Sequence, residues 1–185
     1  MAIQALRAAA VSSASASPFT SIAMASALVF LLLAGSPDAQ AAVADYVGFG
    51  WETSGLDSSQ PGDQLTIATV VTQIDPLFEV DLGSVESTLF IDGLSSEGAV
   101  VDGFGNTVIS YSGGTLRLFA DPSGDHDWGV YPANGTVPAT FVDGELLFEG
   151  AFTSFTLILQ PSGGGIFEGF LNGTGGSALA GPCTD

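Results

Sequence analysis

The residues best suited to chemistry lie in one short stretch, residues 121–129, with the sequence DPSGDHDWG. It places Asp121, Asp125 and Asp127 in a loop rich in Gly and Pro, where three carboxylates can converge on a hard cation that prefers oxygen ligands. Calcium suits this set better than zinc, because the chain has one histidine and its single cysteine is remote. The spacing is not that of an EF-hand, so a solvated loop with aspartates capping turn amides is the competing interpretation. Calcium is thus a hypothesis, and no other cofactor is expected.

Catalytic machinery is harder to find. His126 is the only histidine, and no G-x-S-x-G elbow accompanies it, so serine nucleophile chemistry is not expected. Glu145 and Glu149 would stand about 13 Å apart on one strand, beyond the roughly 5–9.5 Å that glycosidases use. Glu79 and Asp81 would be nearer, at about 6.6 Å, but they lie in a connection where acids are common. No catalytic residue is predicted, and the chain is predicted not to be an enzyme.

Aromatic residues raise a binding alternative. Trp128 and Tyr131 adjoin the acidic loop and could stack on sugar rings, as could Trp51 and Tyr111. The competing interpretation places Trp51 in the core and uses Trp128 to plug a loop. An open groove with exposed aromatics would favour a carbohydrate-active domain, binding or hydrolysing and possibly assisted by calcium. Buried aromatics would favour a structural or interaction module, which is the leading hypothesis.

The elements that must position these residues are predicted to be strands. Val47, Phe49 and Trp51 alternate with glycines, and the β-branched run at 64–74 lies between turn residues. The predicted strands are 46–53, 64–74, 87–91, 99–101, 107–111, 115–119, 145–148, 152–159 and 165–171. This pattern indicates an all-β protein, with residues 42–185 forming one β-sandwich or jelly-roll-like domain and a Gly-rich carboxy-terminal tail.

Charge excludes several classes of function. The chain has 20 acidic residues against two arginines and no lysine, for a formal net charge of −18. Nucleic acid is not an expected partner, because neutralising phosphates needs several basic side chains. Anionic lipid and phosphorylated substrates are disfavoured for the same reason, and Schiff-base chemistry needs the missing lysine. Solubility is the simplest interpretation of the acidity.

Residues 1–41 have the character of an export signal. An apolar run at 21–34 is too short to span a bilayer, and it is followed by a Gly-Ser-Pro break and small residues suited to cleavage after Ala41 or Ala44. A helical signal peptide and a secreted, periplasmic or extracellular location are therefore predicted. Delivery to a thylakoid lumen is the alternative, since acid-free Ser/Ala-rich segments also serve as transit peptides. No later apolar run is long enough to anchor the mature chain.

Cys183 is the only cysteine, so an intramolecular disulfide is impossible. In an oxidising compartment it could pair with a second chain. The other partners compatible with these features are an extracellular protein or a polysaccharide.

Residues 113–155 carry a sequence of landmarks that identifies a resemblance. A Gly-Gly turn leads into TLRLFADPS, followed by DWGVYPANGTVPATF, an Asp-Gly turn and ELLFEGAFTSF. This order resembles a group of uncharacterised exported bacterial proteins, many of which carry a short carboxy-terminal sorting tail of the PEP-CTERM kind. The resemblance implies a secreted β domain of unknown role, and it supplies no active-site residues to carry over to this chain. The chain departs from the anchored members because it ends in PCTD, so free release is expected rather than sorting to the surface.

Overall fold

The computed structural model describes residues 4–10, 22–32, 41–55, 58–74, 79–128 and 138–177, with side chains described from Ala44 onward. These residues form eight strands and one short 3-10 helix, Pro138–Phe141. The strands are β1 Gln4–Ala10, β2 Ile22–Leu32, β3 Ala41–Glu52, β4 Gln64–Ile74, β5 Glu86–Val101, β6 Thr107–Asp121, β7 Glu145–Leu159 and β8 Gly165–Gly175.

All eight strands belong to one sheet, in the order β1-β8-β7-β6-β5-β4-β3-β2, and every neighbouring pair is antiparallel. From β3 to β8 each strand pairs with the next one along the chain. Local connections suffice for such a meander, because antiparallel neighbours need only a reversing turn between them. The prediction of an all-β protein is confirmed. The sandwich or jelly-roll arrangement is not, since the described strands form a single sheet in sequential order.

Strands β5, β6 and β7 are longer than the sequence indicates, because glycines that predict turns lie inside them. Gly93 and Gly114 face each other across β5 and β6 with φ of 72° and 87°, and Gly113 also has a positive φ. A Cβ at Gly93 would lie only 3.6 Å from the Cα of Gly114. Glycine adopts this conformation without strain, so the strands bend there and continue. From residue 41 onward, six long strands among the described residues therefore replace the nine short ones predicted.

One face of the sheet, called here the inner face, carries the main core. Its buried side chains come from all six strands β3 to β8 and include Tyr46, Leu65, Ile67, Leu89, Ile91, Leu118, Phe148, Leu157 and Leu171. Phe155 lies among three other rings: it stacks on Phe167 at 5.1 Å between centroids and meets Phe152 and Tyr111 edge to face at 5.2 and 5.7 Å. Such aromatic pairs add to the stabilisation from burial alone.

The opposite, outer face carries a smaller cluster that the connection between β6 and β7 covers. This outer-face cluster consists of the buried residues Ala68, Phe90, Phe119 and Phe141, with Trp51, Val70, Trp128, Val142 and Leu146 packed against them. The 3-10 helix contributes Phe141, whose carbonyl oxygen accepts a 2.8 Å hydrogen bond from Thr88 Oγ1 in β5. The connection is thereby fixed to the sheet, and it carries the residues that the sequence nominates for chemistry.

The helix predicted for the leader is not found. Gln4–Ala10 and Ile22–Leu32 are extended and pair with β8 and β3, respectively. A short apolar run suits a strand as well as a helix, and the edge of a sheet supplies backbone partners that decide between them. Within the described residues no helix has the length and hydropathy to cross a membrane. The use of this region as an export signal stays a prediction.

We expect Gly114→Ala to destabilise the protein by about 1–3 kcal/mol, the usual cost of forcing a residue with a side chain into a strained backbone region. The new Cβ would also lie 2.6 Å from Leu94 Cδ2. Urea denaturation measures the change as a lower midpoint. Gly103→Ala is the matched control, since a Cβ there meets nothing within 4 Å. Equal stability of the two variants would contradict the bend described here.

Candidate functional site

The candidate site lies at the end of the sheet where β6 runs into its connection with β7. Asp121, Asp125 and Asp143 bring carboxylate oxygens within 4.8 Å of one another. Asp121 is buried, with 5% exposure, whereas Asp125 and Asp143 are exposed. Carboxylates at this separation repel each other unless a cation or a proton intervenes.

Asp143 reaches the site because the β6–β7 register brings the start of β7 next to the end of β6. Glu145 pairs with Ala120, which places the Asp143-Gly144 dipeptide beside Asp121. A Cβ on Gly144 would lie 2.5 Å from the carbonyl oxygen of Ala120. Glycine at 144 therefore permits the close backbone approach that brings the third carboxylate into the group.

The buried carboxylate is already well satisfied by its own loop. Ser123 donates its backbone N–H to Asp121 Oδ1 at 2.8 Å, and its hydroxyl lies within hydrogen-bonding distance of both carboxylate oxygens. These hydrogen bonds lower the pKa of Asp121 below its ordinary value, chiefly through the Ser123 hydroxyl and next through the Ser123 N–H. Asp121 therefore carries its charge at neutral pH and accepts hydrogen bonds from the turn that follows β6.

The metal set predicted from the sequence is only partly assembled. Asp121 and Asp125 come together as expected, but Asp127 is not a member of the group, and its backbone N–H donates to Thr140 Oγ1 at 3.0 Å. Asp143 was missed, although an Asp-Gly turn directly before a strand that pairs with β6 was a usable signal. The calcium hypothesis stays a prediction, now with Asp143 in place of Asp127.

His126 fastens the connection to the sheet. Its backbone N–H and its Nδ1 are both hydrogen-bonded to the carboxylate of Glu86, which lies opposite Asp121 in the β5–β6 register. The imidazole also meets Trp128 and Phe141 edge to face. These contacts attach the β6–β7 connection to β5 through His126.

Of the proposed sugar-stacking pair, only Trp128 lies within the described residues. Trp128 is half-buried and packs against Phe141, Phe49 and His126, with ring centroids 4.9, 5.2 and 5.3 Å away. Its predicted partner, Tyr131, lies outside the described residues. These contacts match the expectation that Trp128 plugs its own loop.

Trp51 and Tyr111 also take part in packing. Trp51 is half-buried against the outer-face cluster, and Tyr111 is buried in the inner core. Cys183, proposed to pair with another chain, lies outside the described residues.

Arg117 is held in the sheet by acidic and aromatic neighbours. Its guanidinium donates to Asp92 at 2.5 Å and lies 5.5 Å above the centre of the Phe90 ring. Glu149 is its partner in the β6–β7 register. Because its guanidinium contacts Asp92 and Phe90, Arg117 is engaged in stabilising the sheet.

A buried polar network that sequence reasoning missed lies at the opposite end of the sheet. The carboxylate of Glu52 accepts hydrogen bonds from Tyr111 at 2.5 Å and from Ser59 at 2.9 Å, and the Ser59 and Ser96 hydroxyls lie 2.7 Å apart. The pKa of the Tyr111 hydroxyl is raised well above its ordinary value, chiefly by burial and next by the Glu52 carboxylate. No sequence motif links these residues, which meet only through strand pairing.

Comparison with known proteins finds no matching family model, no matching curated protein and no matching solved structure. The resemblance to exported bacterial proteins therefore stays a prediction, and any functional conclusion rests on the geometry described above.

We expect Asp143→Asn to raise the melting temperature in chelator, because it removes one of three crowded like charges. Asp127→Asn removes an equal charge outside the group and is the matched control. Adding millimolar calcium then tests the ion hypothesis: a rise in the wild-type melting temperature that Asp143→Asn loses and Asp127→Asn keeps would support it. No rise in the wild type would reduce the group to a solvated acidic loop.

We also expect the protein to lose stability steeply in alkali. Burial raises the pKa of both Tyr46 and Tyr111, so their neutral hydroxyls stabilise the fold fully below about pH 10, where an unfolded tyrosine ionises, and this contribution falls as pH rises above that value. The free energy of unfolding should fall by up to about 1.4 kcal/mol per pH unit for each tyrosine. Urea titrations across this range measure the slope. Tyr111→Phe should reduce it, and an unchanged slope would contradict the burial of this hydroxyl.

Proposed function

We propose that the chain is an exported, non-enzymatic structural or interaction module built on an antiparallel sheet. The observation that supports this proposal is the use of its reactive side chains as internal contacts. His126 binds Glu86, Trp128 packs on Phe141, and Arg117 binds Asp92. Side chains committed to such contacts hold the connection and the strands in place.

Catalysis would require a different arrangement of the same groups. A general base must reach the proton it removes, and a nucleophile needs a base beside it. The Nδ1 of His126 is taken by Glu86, and the buried hydroxyls of Ser59 and Tyr111 bind Glu52. Among the described residues, these contacts favour support of the fold over chemistry on a substrate.

The position of the predicted cleavage site supports the exported state. Ala41 is the first residue of β3, so cleavage after it would remove β1 and β2 and leave the β3–β8 sheet with its inner core. The second candidate site, after Ala44, would shorten β3 by four residues but would keep Tyr46 in the core.

Export is tested by expressing the full chain in a Gram-negative host and measuring, by mass spectrometry, the molecular mass of the product found outside the cytoplasm. We expect a chain that begins at Ala42 or Asp45. Leu31→Asp interrupts the apolar run and is expected to keep the chain in the cytosol, which provides the control. Unprocessed wild-type protein in the cytosol would refute the proposal.

A carbohydrate-active domain remains the second candidate, because Trp128 is only half-buried and lies three residues from Asp125. Electrophoresis through gels that contain soluble polysaccharides separates the two proposals. We expect wild type and Trp128→Phe to migrate alike in every gel. Retardation of the wild type that Trp128→Phe abolishes would favour carbohydrate binding instead.

A further inference from the structure

We propose that the exported chain associates with further copies of itself through the edges of its sheet, with β3 of one copy pairing with β8 of the next. The inference rests on the proposed removal of the leader. It follows from what the leader does in the full chain, from the composition of the two edge strands, and from their relative direction.

In the full chain the leader covers both edges of the β3–β8 sheet. Gln4–Ala10 pairs with β8 without interruption, from Gln4 opposite Leu171 to Ala10 opposite Gly165. Ile22–Leu32 pairs with β3 over nine register positions with one irregularity. Both edges therefore already accept an antiparallel strand, and cleavage after Ala41 would uncover both at once.

An uncovered edge presents a row of unpaired N–H and C=O groups and readily takes another strand. Proteins usually protect such edges with lysine, proline or short strands. Neither 41–52 nor 165–175 contains Lys, Arg or Pro, and the two strands are 12 and 11 residues long. Their charged side chains are limited to Asp45 and Glu52 on β3 and Glu168 on β8, so protection of these edges depends on acidic charge alone.

Apolar side chains are concentrated on the same two strands. Val47 on β3 is 43% exposed, and Ile166 and Phe170 on β8 are 43% and 37% exposed even with the leader strands in place. In the described residues, the remaining large exposed apolar side chains all belong to the β5–β6 hairpin end: Val100, Val101 and Phe104. Removal of the leader strands would expose these side chains further, and a strand from a second copy would restore the cover that the leader gives as well as satisfy backbone groups.

The directions of the two edge strands favour a second copy of this chain as the partner that pairs with each edge. Six alternating antiparallel strands leave β3 and β8 running in opposite directions, so β8 of one copy can pair with β3 of the next without breaking the antiparallel pattern. Each exported chain carries both complementary edges. Such a head-to-tail contact need not close on itself, so it produces open arrays as well as dimers.

Charge opposes this contact and makes it depend on salt. Residues 42–185 contain 19 acidic residues against Arg117 alone, so copies repel at low ionic strength. At molar salt the Debye length falls to about 3 Å, which screens this repulsion while leaving hydrogen bonds and apolar contact intact. Association should therefore increase with ionic strength, the reverse of an assembly held by ion pairs.

Analytical ultracentrifugation of the exported product tests the proposal at low and at molar sodium chloride. We expect monomers at low salt and dimers with larger species at high salt. Phe170→Lys places a charge on the β8 edge and should weaken association by about tenfold or more. Phe104→Lys is the matched control, because Phe104 is 90% exposed at a hairpin turn and away from either edge. Hydrogen exchange should show new protection in β3 and β8 of the assembled species.

A monomer at every salt concentration would overturn the proposal, as would loss of association in Phe104→Lys instead of Phe170→Lys. Monomers would also be the result if β3 and β8 paired within one chain. The full-length Leu31→Asp protein, which retains its leader strands, should stay monomeric at high salt. If export itself fails, a protease site inserted between Gln40 and Ala41 releases the leader in vitro. Ultracentrifugation of this cleaved protein at low and at molar salt then tests edge pairing separately from export.

Discussion

The structure depends on backbone hydrogen bonding between strands that are neighbours in the chain. One cysteine excludes an internal disulfide, and the described helical structure is limited to one 3-10 turn, so paired strands and the packing on their inner face carry the stability. Phe155 shows how closely the two are linked, because the antiparallel register brings Tyr111 and Phe167 from adjacent strands onto its ring. The outer face needs only a small second cluster, which the β6–β7 connection supplies through Phe141.

The acidity of the chain is partly explained by how its turns are built. Asp63, Asp81, Asp102 and Asp121 each accept a hydrogen bond from a backbone N–H two to four residues away. A short carboxylate is well suited to this task, since it satisfies turn amides that no strand partner can reach. In a meander every strand needs a turn, so the same architecture that uses local connections also uses many aspartates. The remaining acids add to the net negative charge of the chain.

The candidate site shows that local sequence patterns do not predict contacts between residues that are distant in the chain. Proximity along the chain grouped Asp121 with Asp125 and Asp127, and the carboxylates of the first two do lie together. It did not indicate Asp143, which is distant in sequence but adjacent across the β6–β7 pair. Glu86 and Glu52 were missed as partners of His126 and Tyr111 for the same reason, since a partner 40 or 59 residues away is chosen by strand register and leaves no local motif.

The sequence by itself determined the all-β class, the bounds 64–74 of β4, the impossibility of an internal disulfide and the unfavourable charge for nucleic acid, because each follows from composition or two-residue periodicity. Only the tertiary structure decided that the strands form one sheet, that glycines such as Gly93 and Gly114 bend strands without ending them, and that residues 4–10 and 22–32 are extended. A glycine or an apolar run is locally compatible with several conformations. The choice among them is made by the backbone groups of neighbouring strands, whose positions exist only once the sheet has formed.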